Sequence, residues 1–529
     1  VKELKSYPGN YPEDWQPVLL HQYLLQYAQI TPDAAAIISA NCQWSYQDLS
    51  HYSYIYADIL ANCGLAHGDR IVLELDPSPQ AIALIAACSL LGLVYVPVSP
   101  ENPPERVKQI LEITGAKLHV VGSSEKDIGI VNSPQGLQGW LEGNALNIQG
   151  RLLEKFHSRK SCVLESDLAY IIFTSGTTGI PKGIMMTHRA TLSFLRALVN
   201  YCKLNSDARV GTIAPLQFDF SLLDIGLALG SGATLVQIPR QLSLLPPKFI
   251  RYLGLHQVTQ LNCVPSIWKL LLNYVPKEIA KLQNLRTTLF AGEPFAIADV
   301  LKLQSLLPQL RMINCFGQSE SIACSFTEVP NPLTPDTKNL SIGFAHPGAE
   351  MLLLDEQQQE INQPDQVGEI YLRGANLFSG YWRNSEATQK ALIPNPFNSL
   401  SGEKVFRTGD LAYKDSQGEF YLVGRRDLQV KIRGNRVELA EIEGKLREHP
   451  DINQACAIAI NHQENILIAV FLSLDNNKKA PSAQHVRLFC QDLPHYMIPS
   501  KIYFVDKLPQ NINGKIDRKL LVNKFCPAH

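Results

Sequence analysis
The chain has 529 residues, too many for one hydrophobic core and enough for roughly two to four folding units. Its 48 Lys and Arg nearly cancel its 49 Asp and Glu, so no global field favours nucleic acid or an anionic membrane. An anion must then be bound by local geometry, which points to a small ligand.

The first residues, VKELKSYPGN, lack the apolar core of a secretory signal, and eleven cysteines form no C-x-x-C pair. Both features suit a cytoplasmic protein with reduced, mostly buried thiols and no metal cluster. The next segment of note, AIALIAACSLLGLVYVPV from Ala81 to Val98, is nearly free of polar groups for 18 residues, the lower limit for crossing a bilayer. Gly92 can end a helix, however, and the β-branched LVYVPV after it reads as a strand, so a buried helix followed by a buried strand is expected rather than a membrane span.

From about residue 34 to 345, short apolar runs alternate with helical stretches: IVLEL at 71, YIIF at 170, TLVQI at 234, LFAG at 289 and MINCFG at 312. This alternation predicts an α/β fold of doubly wound, mostly parallel sheets, with ligands beyond the carboxyl ends of strands. After about residue 345, EMLLLDEQQQEI, VGEIYLRG and GEFYLVGRRD predict a small antiparallel β unit. The last hundred residues, with the helical ELAEIEGKLREHP and strands near 456 to 473, read as a separate α+β domain. The charge-rich GRRDLQVKIRG, Gly424 to Gly434, is the natural boundary, giving domains 1–426 and 427–529; a charged β-hairpin would read the same way.

Four loops carry candidate chemistry, and each has an ordinary alternative. The first, in YIIFTSGTTGIPKGIMMTH from Tyr170 to His188, follows a strand, and its ordered turn could aim several backbone N–H groups at an anion while Lys182 adds a point charge. It departs from the nucleoside-triphosphatase loop in lacking a Ser or Thr after the lysine for magnesium, and Gly/Ser/Thr clusters are also plain surface turns. In NCFGQSE, Asn314 to Glu320, an aromatic could stack on a base and a carboxylate could hold magnesium; a strand, a turn and a helix cap would look alike. In FRTGD, Asp410 could accept hydrogen bonds from ribose hydroxyls or serve turn chemistry. In LPQNINGKIDRKLL, Lys515 follows an Asn-Gly turn, where an exposed hairpin lysine is equally at home.

In this order the segments resemble the adenylate-forming superfamily of acyl-CoA synthetases, luciferases and adenylation domains of nonribosomal peptide synthetases. Further matching segments are WSYQDL at 44, LGLVYVPVSPENPPERV at 91, FDFSLLDI at 218, FAGEP at 290, GEIYLRGANLFSGYW at 368 and LPHYMIPS at 493, so the resemblance spans essentially the whole chain. It implies ATP and Mg2+ as cofactors, with the first loop (Thr174, Ser175, Gly176, Thr177, Thr178, Gly179 and Lys182) holding the β- and γ-phosphates. Glu320 would ligate magnesium, Ser319 contact the α-phosphate, and Phe316 stack on adenine beside Gly292, Glu293 and Pro294, with Asn314 and Gly317 shaping the same loop. Asp410, helped by Arg425, would bind ribose. Lys515 would sit between the substrate carboxylate and the α-phosphate, and Asp427 would be the hinge about which the small domain swings, presenting the segment around Lys431 and Gly434. The family's Y-G-P-T-E reads F-G-Q-S-E here; Ser319 keeps the hydroxyl.

The acyl pocket decides which acid is activated. FDFS matches the amino-acid branch, implying that Asp219 pairs with the substrate ammonium, and the branch's pocket positions fall on Asp219, Phe220, Leu223, Asn262, Leu289, Ala291, Cys315, Ala323, Cys324 and Lys515. Such a cavity is apolar apart from Asp219 and Lys515, which disfavours charged side chains. It is similar to the pocket of stand-alone L-proline-activating enzymes, although valine, pipecolate or another small apolar amino acid also fits. The sequence contains no condensation-type H-H-x-x-x-D-G and no carrier-type G-G-x-S, so a phosphopantetheinylated carrier protein is expected in trans. An acyl- or aryl-CoA ligase and a silent nucleotide-binding regulator are the competing readings.

Overall fold
The computed structural model describes residues 16–40, 42–122, 137–150, 162–174, 181–334, 336–426, 429–432, 434–462, 465–474, 478, 480–509 and 516–525. The chain divides into two compact units, one of Val1–Pro100, Leu111–Ile172 and Gly183–Arg426, the other of Glu101–Ile110, Phe173–Lys182 and Asp427–His529. Among the described residues, nine strands form the largest sheet, in the order Phe344–Ala345, Ser325–Glu328, Arg311–Phe316, Thr287–Ala291, Gln260–Cys263, Arg209–Thr212, Thr234–Gln237, Ala35–Ile38 and Gln43–Ser45. Its central pairings are parallel, and antiparallel strands close both edges. A seven-stranded sheet contains the expected runs at 71, 94 and 170, again paired in parallel. The doubly wound α/β architecture read from the alternation is thus present.

The apolar segment at 81 is the helix Pro79–Leu91 followed by the strand Val94–Val98. Every residue of that strand is buried, as is nearly all of the helix from Ala81 to Ser89, so apolarity all round reflects burial on all sides. Among the described residues no helix is long and apolar enough to cross a membrane. The helix stops at Gly92, whose φ of +66° is left-handed, and its N–H returns to the Cys88 carbonyl. All ten described cysteines are free, and none joins a group able to hold a metal.

Beyond residue 345 the strands Ala349–Leu354, Gly368–Gly374, Lys404–Lys414 and Phe420–Arg425 pair antiparallel, with Leu392–Pro394 on the side, forming the expected β unit. In the second unit the end of the charged stretch supplies the first strand of a hairpin, Gln429–Ile432 against Asn435–Glu438, which leads into the helix Leu439–Arg447. Strands Ile452–His462, Asn465–Leu474 and Lys501–Phe504 form its sheet. Strict alternation feeds two cores from one strand: Ala455 and Ala457 pack with Ile442 and Leu446, whereas Cys456, Ile458 and Ile460 pack with Leu521.

A Cβ at Gly92 would lie 2.3 Å from His67 Cδ2 and would force a left-handed backbone on an L side chain. Gly92→Ala should therefore lower stability by about 1–2 kcal/mol, read as a reduced urea midpoint; an unchanged midpoint would show that the turn relaxes freely.

Candidate functional site
The nine-stranded sheet reverses its winding between two neighbours. From Arg209–Thr212 the chain passes through the helix Asp219–Gly230 to Thr234–Gln237 on one side, then through Pro246–Leu255 to Gln260–Cys263 on the other. At such a switch point the connections diverge and leave a crevice beyond the strand ends. Asp219 opens the first of these helices and is half-buried, as is Phe220, while Leu223 is buried. The Tyr170 phenol is pushed up by burial and, next, by the Asp219 carboxylate.

The parallel register supplies one apolar face. Asn262 lies opposite Leu289, and Ala291 opposite Cys315, so alternate residues of three adjacent strands look the same way. Leu289 and Cys315 join one core cluster with Leu223, Ala323 and Cys324, against which Phe220, Ala291 and Phe316 pack; Phe290, between Leu289 and Ala291, joins a different cluster on the opposite face. These residues, collected from positions 220 to 324, thus belong to or pack against one large core cluster. Ala323 and Cys324 owe their place to a tight return, in which Cys324 N–H donates to the Phe316 carbonyl at 2.8 Å. A Cβ at Gly317 would fall 2.3 Å from Ala323 Cα, so the return needs glycine there.

Asn262 has a second commitment. It is fully buried, its Nδ2 donates to Asp224 Oδ1 at 2.8 Å, and its Oδ1 accepts from Gln260 Nε2 at 2.9 Å. Thr212 Oγ donates to Asp224 Oδ2 at 2.5 Å. Asp224, one helical turn beyond Phe220, is thus held by the carboxyl ends of both strands at the switch point. Sequence reasoning gave it no role, although Asp224 lies within the FDFSLLDI segment, because a polar residue inside the apolar FSLLDIGLAL run has no evident chemistry of its own. The signal available was that interruption itself.

The second group lies in the loop after Arg311–Phe316. Here the chain turns rather than entering a helix, so the helix-cap alternative for Ser319 and Glu320 falls away. Glu320 is fully buried and its Oε1 accepts from the Tyr381 hydroxyl at 2.8 Å, a partner that sequence reasoning did not assign. Tyr381 is fixed by its segment: Trp382 N–H donates to Gly183 O at 2.7 Å, and Ile184 bridges to Tyr381. A buried carboxylate anchored by a neutral phenol fits Mg2+, which takes one or two protein carboxylates and leaves its other positions to water and phosphate. Ser319 and Gly317 are partly exposed, and Asn314 Nδ2 donates to Ser341 O at 2.8 Å.

Asp410 is buried beside this loop. Its Oδ1 accepts from Arg425 Nη1 at 2.7 Å, the antiparallel register placing the two residues opposite each other, and its Oδ2 accepts from Gln318 Nε2. Gly292 has a φ of +87° and turns the chain after Thr287–Ala291; Glu293 Oε2 then accepts from Ser266 N–H at 3.2 Å, and Pro294 is exposed. Thr174 ends the strand Leu168–Thr174 and Lys182 begins Lys182–Thr187. Ser175, Gly176, Thr177, Thr178, Gly179, Asp427 and Lys515 lie outside the described residues.

Complete burial drives the Asp224 carboxyl up from 3.8 to about 8, against the pull of its bonds to Thr212 and Asn262. The folded state then holds a proton that the unfolded chain releases, so this group's support for the fold is greatest at acid pH and declines from about pH 4 to about pH 8. Melting temperature should fall with rising pH between about pH 6.5 and pH 8 in the wild type, above the range in which the depressed imidazoles of His21 and His188 add stability as pH rises. In Asp224→Asn the decline should flatten, and an unaltered slope would remove Asp224 as its source.

Residues 24–382, more than half of the chain, match the AMP-binding enzyme family, and residues 441–515 match the AMP-binding enzyme C-terminal domain. A linear gramicidin synthase of Brevibacillus parabrevis is 32% identical over 95% of this chain, which spans only 10% of that protein. The L-proline--[L-prolyl-carrier protein] ligase of Pseudomonas fluorescens is 28% identical over 96% of this chain and 99% of its own length. The crystal structure of IdnL1 is 42% identical, with a TM-score of 0.86 over 94% of this chain and 100% of that one. The chain belongs to the AMP-binding enzyme family, within the adenylate-forming superfamily.

Proposed function
We propose that the chain is an ATP-dependent amino-acid:carrier-protein ligase that activates a small apolar amino acid, L-proline foremost. The observation that carries this reading is the apolar face of Leu289, Ala291 and Cys315 on adjacent strands, with Leu223, Ala323 and Cys324 in the same core cluster and the Asp219 carboxylate at the start of the helix that carries Leu223. A carboxylate beside apolar surface attracts a cation, and the ammonium of an amino acid supplies one. Fatty and aryl acids bring no such group. The carrier-protein ligase from Pseudomonas fluorescens, named for proline and matched along nearly its whole length, supports the same substrate.

In the first half-reaction a carboxylate oxygen of the amino acid attacks the α-phosphorus of ATP. The bond from that phosphorus to the β-bridging oxygen breaks, and pyrophosphate leaves. Asp219 orients the amine, and Lys515 places positive charge between carboxylate and α-phosphate, where negative charge collects. Ser175 to Gly179 and Lys182 take the departing phosphates, Ser319 the α-phosphate, Phe316 with Gly292, Glu293 and Pro294 the adenine, and Asp410 with Arg425 the ribose. Glu320 would hold Mg2+, which neutralises phosphate charge. In the second half-reaction the phosphopantetheine thiol of a separate carrier protein attacks the acyl carbon, the thioester forms and AMP leaves. We assign this change of task to movement of residues 427–529 about Asp427, in a cytoplasmic enzyme.

Amino-acid-dependent ATP–pyrophosphate exchange tests the reading. L-Proline should give the strongest signal: its ring fills a small apolar volume, brings no side-chain charge and loses little rotational freedom. Pipecolate should follow at reduced efficiency, since apolar pockets reject one methylene by only about 1–3 kcal/mol. Asp219→Ala should cripple all amino acids alike, and Lys515→Ala should lower exchange about a hundredfold or more. Stronger exchange with phenylalanine, glutamate or a benzoate would overturn the substrate, and coenzyme A replacing the carrier would overturn the acceptor.

A further inference from the structure
We propose that Gln318 is a nucleotide-binding residue, its side-chain oxygen accepting one of the two ribose hydroxyls while Asp410 accepts the other. The inference rests on reading the Asp410 site as the ribose site. Gln318 stands where the family's Y-G-P-T-E has proline, so this chain carries an amide where that pattern has no side-chain polar group.

The side chain is 8% exposed, and its Nε2 donates to Asp410 Oδ2. That bond fixes which way the amide faces. Asp410 already meets the Arg425 guanidinium through Oδ1, and a carboxylate so paired only accepts, so the amide must present its NH2 to it and turn Oε1 away. Oε1 is then a buried acceptor without a partner among the described residues. Buried acceptors left unmatched cost free energy, so a donor from outside the chain is called for.

The surroundings are rigid enough to aim it. Asp410 N–H donates to Thr408 Oγ at 3.0 Å, Thr408 Oγ donates to Ile370 O at 2.7 Å, and Arg425 Nη2 donates to Thr408 O at 3.1 Å. On the other side, Ser321 N–H donates to Gln318 O at 2.9 Å, which ties down the backbone that carries the amide. Two acceptors, one charged and one neutral, are thereby linked by a hydrogen bond. Their complement is a pair of donors on adjacent atoms, and a ribose vicinal diol is such a pair.

Calorimetric titration of the full chain with ATP, 2′-deoxy-ATP and 3′-deoxy-ATP tests this. The wild type should bind both deoxy nucleotides more weakly than ATP. In Gln318→Met, ATP affinity should fall about tenfold, one buried hydrogen bond, and discrimination against one deoxy nucleotide should vanish while that against the other persists. Gln318→Leu should repeat the pattern, and circular dichroism confirms that each variant folds. Both discriminations persisting would overturn the proposal, leaving Oε1 to an ordered water. Both weakening equally would also overturn it, because Gln318 would then act only by positioning Asp410. Equal wild-type affinity for all three nucleotides would overturn it without any variant. A wild type that binds no ATP would overturn the ribose reading of the site, a result distinct from ATP binding with unselective variants.

Discussion
A carboxyl group with no exposed surface stays in an apolar interior only if its oxygens are matched, and Asp224 is matched by two neighbouring strands at once. Thr212 ends one strand and Asn262 stands next to the end of its neighbour, and the helix carrying Asp219, Phe220 and Leu223 is tied to both through this one side chain. A helix packed only by Leu222, Leu227 and Ala228 could slide along its apolar face at small cost. Two directional bonds to one carboxyl fix its rotation and its height above the strand ends. The start of the helix, where Asp219 stands, is held relative to those two strands through that joint.

Three buried carboxyl groups in the same unit are matched in three ways, and the difference sorts their chemistry. Asp224 meets two neutral groups and is driven towards its protonated form. Asp410 meets a guanidinium, which offsets its charge and leaves acceptor capacity on both oxygens. Glu320 meets the neutral hydroxyl of Tyr381. A neutral buried acid suits a structural joint, and under the proposed function the guanidinium-paired Asp410 would take the ribose diol and Glu320 the metal cation.

The fold was legible where one element carries its own signature. Pro79, Gly92 and the β-branched Val94, Val96 and Val98 punctuate the apolar run, and the structure breaks it at those residues. The runs at 170, 234, 289 and 312 are strands because short apolar segments between helices have few other uses. Much of the candidate site was legible only through ordered resemblance, since T-G-D or F-G-Q-S-E alone is ordinary turn chemistry. What escaped were partners far apart in sequence: Tyr381 for Glu320, separated by 61 residues, and Gln318 for Asp410, separated by 92. Neither pairing has a period or a spacing, because the sheets create it.

Asn262 illustrates the limit of carrying a role over by position. It lies opposite Leu289 in the strand register, and both ends of its amide are engaged, by Asp224 and by Gln260. In the proposed function a side chain so engaged would act on a ligand through the elements it joins. Under the proposed function, selectivity would then fall to groups without polar alternatives: Leu223 and Phe220 on the helix, Ala291 on the strand and Ala323 on the return loop. Volume is the only discriminating property such groups have, so under the proposed function the pocket would sort amino acids by shape and leave their common ammonium to Asp219.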